Sequence, residues 1–163
     1  DNRKGKTSFI IIDAQSVKNT DTAKHRGYDA GKKVSGIKRH IAVDSQGFTT
    51  LLTGDESAVY ADSAYKSQAH DDYLAEHEPP IKNHIHDRAW RNTPLTEQQK
   101  RNNTQKSQTR NTVERVFGHF KLHYGMSKAR HLGLMQFHTS TLLASMVHNL
   151  KTALSLKRKY GLA

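Results

Sequence analysis

The sequence predicts an α/β domain, on three observations. Phe9-Ile10-Ile11-Ile12 sets four large apolar side chains together, three of them β-branched, and reads as a buried strand. Shorter apolar runs at residues 40–43, 48–52 and 58–61 are separated by turn-forming residues. In the C-terminal half, apolar residues recur at helical spacing over 113–124 and again over about 135–156.

Taken in order, the first strand covers residues 7–13 and leaves Asp13 where the chain exits the core. From Asn19 to Lys38 the chain is polar and glycine-bearing, which predicts an irregular or hairpin excursion carrying the pairs Lys32-Lys33 and Lys38-Arg39. His40 to Val43 forms a second strand, and Asp44-Ser45-Gln46-Gly47 has the order of a type I turn leading to a third at 48–52. A turn at 54–57 precedes the strand Ala58 to Ala61, with Asp62 at its end. Residues 67–77 read as a helix stopped by Pro79-Pro80. Residues 87–110 hold almost no large apolar side chains beyond Trp90 and Leu95, so a polar, flexible segment is expected there. In the following helix Val113, Val116, Phe117, Phe120 and Tyr124 make one apolar stripe, and Arg110, Glu114 and Lys121 fall along its edge. The last helix is expected to bury Met135, Leu142, Leu143, Met146, Val147, Leu150 and Leu154, with Lys157-Arg158-Lys159 at its negative dipole end.

The length of 163 residues suits one compact unit, residues 1–163. Lys and Arg number 26 against 15 Asp and Glu, a net charge of +11 that favours a polyanion such as nucleic acid as partner. Apolar runs are too short for a membrane helix and no signal-peptide core follows the first residues, so a cytoplasmic protein is expected. The absence of cysteine excludes disulfides, a thiolate nucleophile and Cys-based zinc sites.

Against that basic background three acids stand out. Asp13 and Asp62 at strand ends, with Glu114 on a helix, could supply the oxygen ligands that hard Mg²⁺ or Mn²⁺ requires. Two such ions about 4 Å apart serve phosphodiester chemistry. Arg110 and Lys121 would contact flanking phosphates, a guanidinium binding two oxygens and an ammonium acting as a point charge. Lys18, Lys32, Lys33, Lys38 and Arg39 suit phosphate contact too, or a solvated face. Each acid has an ordinary alternative. Asp13 suits a strand-end turn, Asp62 before Ser63 suits a helix cap, and Asn111-Thr112-Val113-Glu114 has capping-box spacing. Among eleven histidines, Asn83-His84-Ile85-His86-Asp87 is the most suggestive cluster, without a second one at ligand spacing. Tyr65 and Trp90 suit base stacking or ordinary packing.

Nearly the whole chain resembles the DDE-class transposases of bacterial insertion sequences, in the superfamily of families four and five. The resemblance is carried by Ile12-Asp13-Ala14-Gln15-Ser16-Val17-Lys18, Gly27-Tyr28-Asp29-Ala30-Gly31-Lys32-Lys33 to Lys38-Arg39-His40, Ala61-Asp62-Ser63-Ala64-Tyr65 and the region of Glu114. That family has a Tyr, Arg, Glu, Lys pattern which Arg110, Glu114 and Lys121 match, with Ser107 at the tyrosine position. The resemblance implies a ribonuclease H-like mixed sheet flanked by helices, with Asp13, Asp62 and Glu114 as catalytic residues holding two Mg²⁺ or Mn²⁺ ions. It implies cleavage of double-stranded DNA at transposon ends, then strand transfer by the freed 3′-hydroxyl into a target. It also implies a homo-oligomer in the active complex and a bacterial, nucleoid-associated location.

Two departures accompany it. Only twelve residues precede Asp13, where such transposases carry a helical end-binding region, so incomplete end recognition is expected. Between Gly47 and Asp62, fourteen residues cannot hold the rest of the third strand, a helix and a fourth strand, so that helix is expected to be missing. Two other readings follow: a catalytically inactive basic DNA-binding remnant, and a ribonuclease H-like nuclease without joining activity.

Overall fold

A computed structural model of the chain describes residues 8–21, 27–50, 55–130 and 133–161. Among the described residues the architecture is α/β, with three α-helices and a mixed sheet of seven strands. The strands are β1 (Phe9–Asn19), β2 (Gly27–Asp29), β3 (Val34–Val43), β4 (Thr49–Thr50), β5 (Ala58–Ala61), β6 (Lys82–Ile85) and β7 (Lys128–Ala129). The helices are α1 (Gln68–Glu76), α2 (Glu97–His123) and α3 (Leu134–Tyr160). The sheet order is β2-β3-β1-β5-β6, with β4 on β3 and β7 on β1. Where one compact unit over residues 1–163 was expected, Cα packing divides the chain into two.

The first unit comprises Asp1–Asp13, Ala42–Gln46 and Thr50–Glu114. In it, β1, β5 and β6 lie parallel, with Ile12 opposite Ala61 and Ala61 opposite Ile85. Of these, β5 and the first half of β1 read as apolar runs, as strands covered on both faces do. The Ser67 hydroxyl accepts from the His70 N–H at 3.2 Å and caps α1. Leu74 of α1 then joins Ile10, Val59, Ala61, Ile81 and Ile85 in the core. The strand β6 was not foreseen, because Lys82-Asn83-His84-Ile85 offers one buried side chain.

The second unit comprises Ala14–Ile41, Gly47–Thr49 and Arg115–Ala163. Here β2 and β3 form the expected hairpin, antiparallel with Tyr28 opposite Ser35. Gly36 is required on β3, since any Cβ there would run into the Val17 carbonyl of β1. Val17, Ile37, Ala129 and Phe137 make the core.

Several expectations are corrected. The first strand does not end at Asp13 but continues to Asn19, where Lys18 and Asn19 pair with Lys128 and Ala129 of β7. The second strand is longer than 40–43 because the whole of Val34–Val43 is drawn into the sheet. Of the third strand only Thr49–Thr50 is described, and residues 51–54 lie outside the described residues.

The polar stretch 87–110 is helical from Glu97 onward. The Thr96 hydroxyl accepts from the Gln99 N–H at 3.2 Å while the Gln99 carboxamide accepts from the Thr96 N–H at 2.9 Å, a reciprocal capping box. Side-chain bonds support this turn-rich polar half: Lys100 to Glu97 at 2.8 Å, Gln98 to Asn102 at 3.0 Å, and Asn103 to the backbone of Asp87 at 3.0 Å.

The largest correction concerns α3. Its buried side chains are Phe137, Thr141, Ala144 and His148. The stripe expected to be buried is exposed: Met135 72%, Leu142 49%, Leu143 57%, Met146 62%, Val147 46%, Leu150 66% and Leu154 55%. The inward face hid its character from the sequence because two members are polar. Thr141 donates to the Phe137 carbonyl at 2.9 Å, and the His148 ring bonds the Gly47 carbonyl at 2.9 Å.

Candidate catalytic site at the ends of parallel strands

The register of the first unit builds a row. Because Ile12, Ala61 and Ile85 are opposite one another, Asp13, Asp62 and His86 are the next residues on three adjoining parallel strands. Carboxyl ends of parallel strands are where α/β sheets hold ligands.

Asp13 and Arg110 meet there. Arg110 Nη2 donates to Asp13 Oδ2 at 2.9 Å, with side chains 12% and 13% exposed. Arg110 Nε is buried without a hydrogen-bond partner, so the guanidinium is committed to the acid through one edge. Asp62 takes up the capping role that its sequence allowed, its Oδ1 accepting from the Ser63 N–H at 2.6 Å at the head of a 3₁₀ turn.

Tyr65, at the end of that turn, packs against the core. Burial, with the negative charges of Asp13 and Asp62, pushes its phenol up to about 12, and Arg110 offsets part of this. The phenol is therefore protonated at neutral pH. His86, 8% exposed, donates its backbone N–H to Ala61 O at 3.1 Å, and its Nε2 is buried without a partner. Burial and then the Arg110 charge hold this imidazole below its usual range.

Beyond His86, Asp87 pairs with Lys66 and Lys106, each at 3.4 Å. Burial raises its carboxyl pKa, but the Lys106 and Lys66 charges outweigh that and leave it below the ordinary value. Lys106 also donates to the Ile85 carbonyl at 2.9 Å, which ties α2 to the end of β6.

Glu114 stands one helical turn beyond Arg110 and is exposed. Its capping-box alternative is removed, because α2 runs unbroken through it from Glu97. Among the described residues no group of three or more His, Cys, Asp or Glu is placed to hold a metal ion. Asp13 and Asp62 are thus brought side by side, and Glu114 does not complete a three-donor set with them. The donor chemistry of the aspartate pair fits a hard divalent cation, being all oxygen, and Asp13 already holds a positive group.

The histidine cluster at 83–87 is split by the strand. Asn83 bonds the Asp71 carboxylate at 2.5 Å, His84 stacks on Tyr60 at 4.6 Å, and His86 turns inward. Trp90 is 66% exposed with the Arg88 guanidinium 5.2 Å from its ring centre, so it is not a core residue.

In the second unit the cationic candidates divide. Lys18, Lys32, Lys33, Lys38 and Lys121 are exposed. Lys38 pairs with Asp29 at 3.4 Å; Asp29 in turn accepts from the Ser16 hydroxyl and the Lys32 N–H, which hold its carboxyl near about 2. Arg39 departs from the others. It is 4% exposed, donates to Gln15, and lies 5.7 and 5.4 Å over the rings of Phe117 and Phe120. Burial lowers its pKa to about 10, still charged at neutral pH.

Lys106 escaped the sequence reading, which weighed His86 only as part of a histidine cluster and Tyr65 only for base stacking or packing. A signal was present for His86, since it follows an apolar Ile85 as Asp13 follows Ile12 and Asp62 follows Ala61.

The family described as Transposase DDE domain matches residues 4–53 and 44–150. A transposase for insertion sequence element IS1106 from Neisseria meningitidis serogroup B is 31% identical over 137 residues, covering 72% of this chain and 47% of that protein. The chain thus spans about half the length of this curated relative. No solved structure matches. Asp13, Asp62 and Glu114 all fall within the matched stretches, and on the extent of the match the chain belongs to the transposase DDE-domain family.

Proposed function

We propose that this chain is the catalytic part of a DNA transposase. It would cut DNA at the ends of an insertion element and join the freed 3′-hydroxyl to target DNA. The observation that carries this reading is the pairing of Ile12 with Ala61, which makes Asp13, within β1, and Asp62, just past the end of β5, the next residues of adjoining strands. Membership of the family supports it.

Asp13 and Asp62 would be the ligands of Mg²⁺ or Mn²⁺, with Glu114 the third carboxylate. A divalent cation there supplies charge neutralisation at the phosphate and a more acidic attacking hydroxyl. The residues of the chain do the rest. Arg110 balances the Asp13 charge in the resting protein and transfers to a substrate phosphate, whose two oxygens it can bind at once. Tyr65, protonated beside both acids, offers a donor rather than a third negative charge. Lys121 and the exposed lysines 18, 32, 33 and 38 contact the DNA backbone, giving salt-dependent affinity. Element-end and target DNA are the substrates, acted on by an oligomer in the bacterial nucleoid.

A second reading has its own observation. Among the described residues no group of three such donors is assembled, which favours a basic domain that binds DNA without cutting it. Incubation with end-containing DNA and Mg²⁺ or Mn²⁺ separates the two. Cleavage and strand transfer lost in Asp62→Asn support the enzyme, and hydrolysis without joined products supports a nuclease. Binding without any cleavage supports the inactive domain.

A further inference from the structure

Among the described residues, His86 Nε2 and Arg110 Nε are both buried without a hydrogen-bond partner, and both belong to the candidate site. A buried polar nitrogen left unpaired destabilises the fold. Each therefore calls for a partner in another state of the protein.

The main chain that carries His86 is tied down on every side. Its own N–H donates to the Ala61 carbonyl at 3.1 Å. Before it, Lys106 Nζ donates to the Ile85 carbonyl at 2.9 Å. After it, the Asn103 carboxamide accepts from the Asp87 N–H and donates to the Asp87 carbonyl, each at 3.0 Å. Asn103, Lys106 and Arg110 recur at i, i+3 and i+7 and so share one face of α2, which these bonds and the Asp13 pair lay across the ends of β6 and β1. The ring is thus held in place, 8% exposed, with one nitrogen unused.

The two nitrogens are chemically complementary. An arginine Nε–H only donates, while a neutral imidazole keeps a lone pair that accepts. Burial and then the Arg110 charge hold His86 below its usual range, so its ring is neutral at neutral pH. Neutrality suits the task, because a second carboxylate would retain the guanidinium as Asp13 does. An uncharged acceptor fixes the orientation of the fork and leaves its charge for a phosphate.

We propose that His86 is a positioning residue for Arg110: when the guanidinium leaves Asp13 for a DNA phosphate, its Nε–H donates to His86 Nε2 while its two Nη atoms take the phosphate oxygens. The inference rests on the phosphate contact proposed above for Arg110. Its imidazole is the tautomer with the proton on Nδ1, and it touches neither the substrate nor the reacting atoms.

Nitrogen-15 magnetic resonance of the whole chain with end-containing duplex DNA and Ca²⁺ reads the contact without any turnover. The Arg110 Nε–H signal, identified by its loss in Arg110→Lys, moves downfield on addition of DNA and gains a through-bond coupling to the His86 ring; His86→Leu removes both. A signal that DNA leaves in place, or a shift that survives in His86→Leu, overturns the proposal. Cleavage with Mg²⁺ gives a second reading. His86→Leu lowers kcat/KM on the order of tenfold, His86→Gln, which keeps an acceptor, recovers it to within about threefold, and His86→Leu has no further effect in an Arg110→Lys chain. Multiplied losses in the double variant overturn the proposal and leave the transposase reading intact. A parent chain that binds DNA without cutting it refutes that reading instead, and the resonance result alone then decides whether His86 and Arg110 pair.

Discussion

Arg110 Nη2 stands 2.9 Å from Asp13 Oδ2 although 97 residues separate them. An ion pair this little exposed carries a definite energetic signature, since removing one partner strands the other. Arg110→Gln should therefore cost about 3–5 kcal/mol, while Asp13→Asn combined with Arg110→Gln should cost much less than the sum of the two single changes. Urea unfolding of the four proteins checks this. Additive losses would mean that the two groups do not act as a pair.

The Tyr65 phenol reports on both aspartates. Its pKa of about 12 arises from burial and then from Asp13 and Asp62, so Tyr65 should ionise later than the exposed tyrosines in an absorbance titration, alongside Tyr124, which burial also raises. Asp13→Asn and Asp62→Asn should each bring the Tyr65 part of that late phase to lower pH, and Tyr65→Phe should remove that part and leave the Tyr124 part. An unmoved late phase in both aspartate variants would place the acids away from Tyr65.

The basic residues should separate into two kinds. Arg39, buried over Phe117 and Phe120, should cost about 2 kcal/mol or more on change to Ala. Lys32→Ala with Lys33→Ala should leave stability within about 0.5 kcal/mol and flatten the dependence of DNA affinity on salt by up to ~2 in log–log slope. Thermal melts and binding isotherms at several salt concentrations read both effects.

Stability should fall as pH drops from 7.5 to 5. Burial holds His148 below its ordinary 6.5, the Gly47 carbonyl partly offsets this, and His119 and Lys151 depress it further. The unfolded chain then takes up a proton at higher pH than the folded one. Stability is full above 6.5, declines as pH falls past that value, and levels off below the folded pKa. His84 and His86 are depressed in the same sense. His148→Gln should show a smaller fall in urea midpoint over this range than the parent chain. Asp29, held near about 2, titrates outside it.

Much of this structure was legible in the sequence for local reasons. Ala58–Ala61 is a short run of two alanines, a valine and a tyrosine between turn-forming residues, and the Ser67 cap and Pro79-Pro80 bracket α1. The row of site residues was partly legible because each acid directly follows an apolar run. What escaped depends on partners distant in sequence. The strand β1 passes Asp13 because β7 pairs with its far end. The strand β6 carries polar side chains and is recruited by β5 through the backbone. The start of α2 was written in Thr96 and Gln99, but the polar run behind them concealed it. For α3 the periodicity was read correctly and its direction was not. A stripe of leucines identifies a face that seeks cover, and the chain's own core takes the other side.

The most direct test of the account is a Mn²⁺ titration followed by electron paramagnetic resonance, on the unaltered chain and on Asp13→Asn and Asp62→Asn, with DNA present so that Arg110 has a phosphate to engage. The account predicts saturable Mn²⁺ binding that either substitution weakens at least tenfold. Binding that is unchanged when both aspartates are replaced would contradict it.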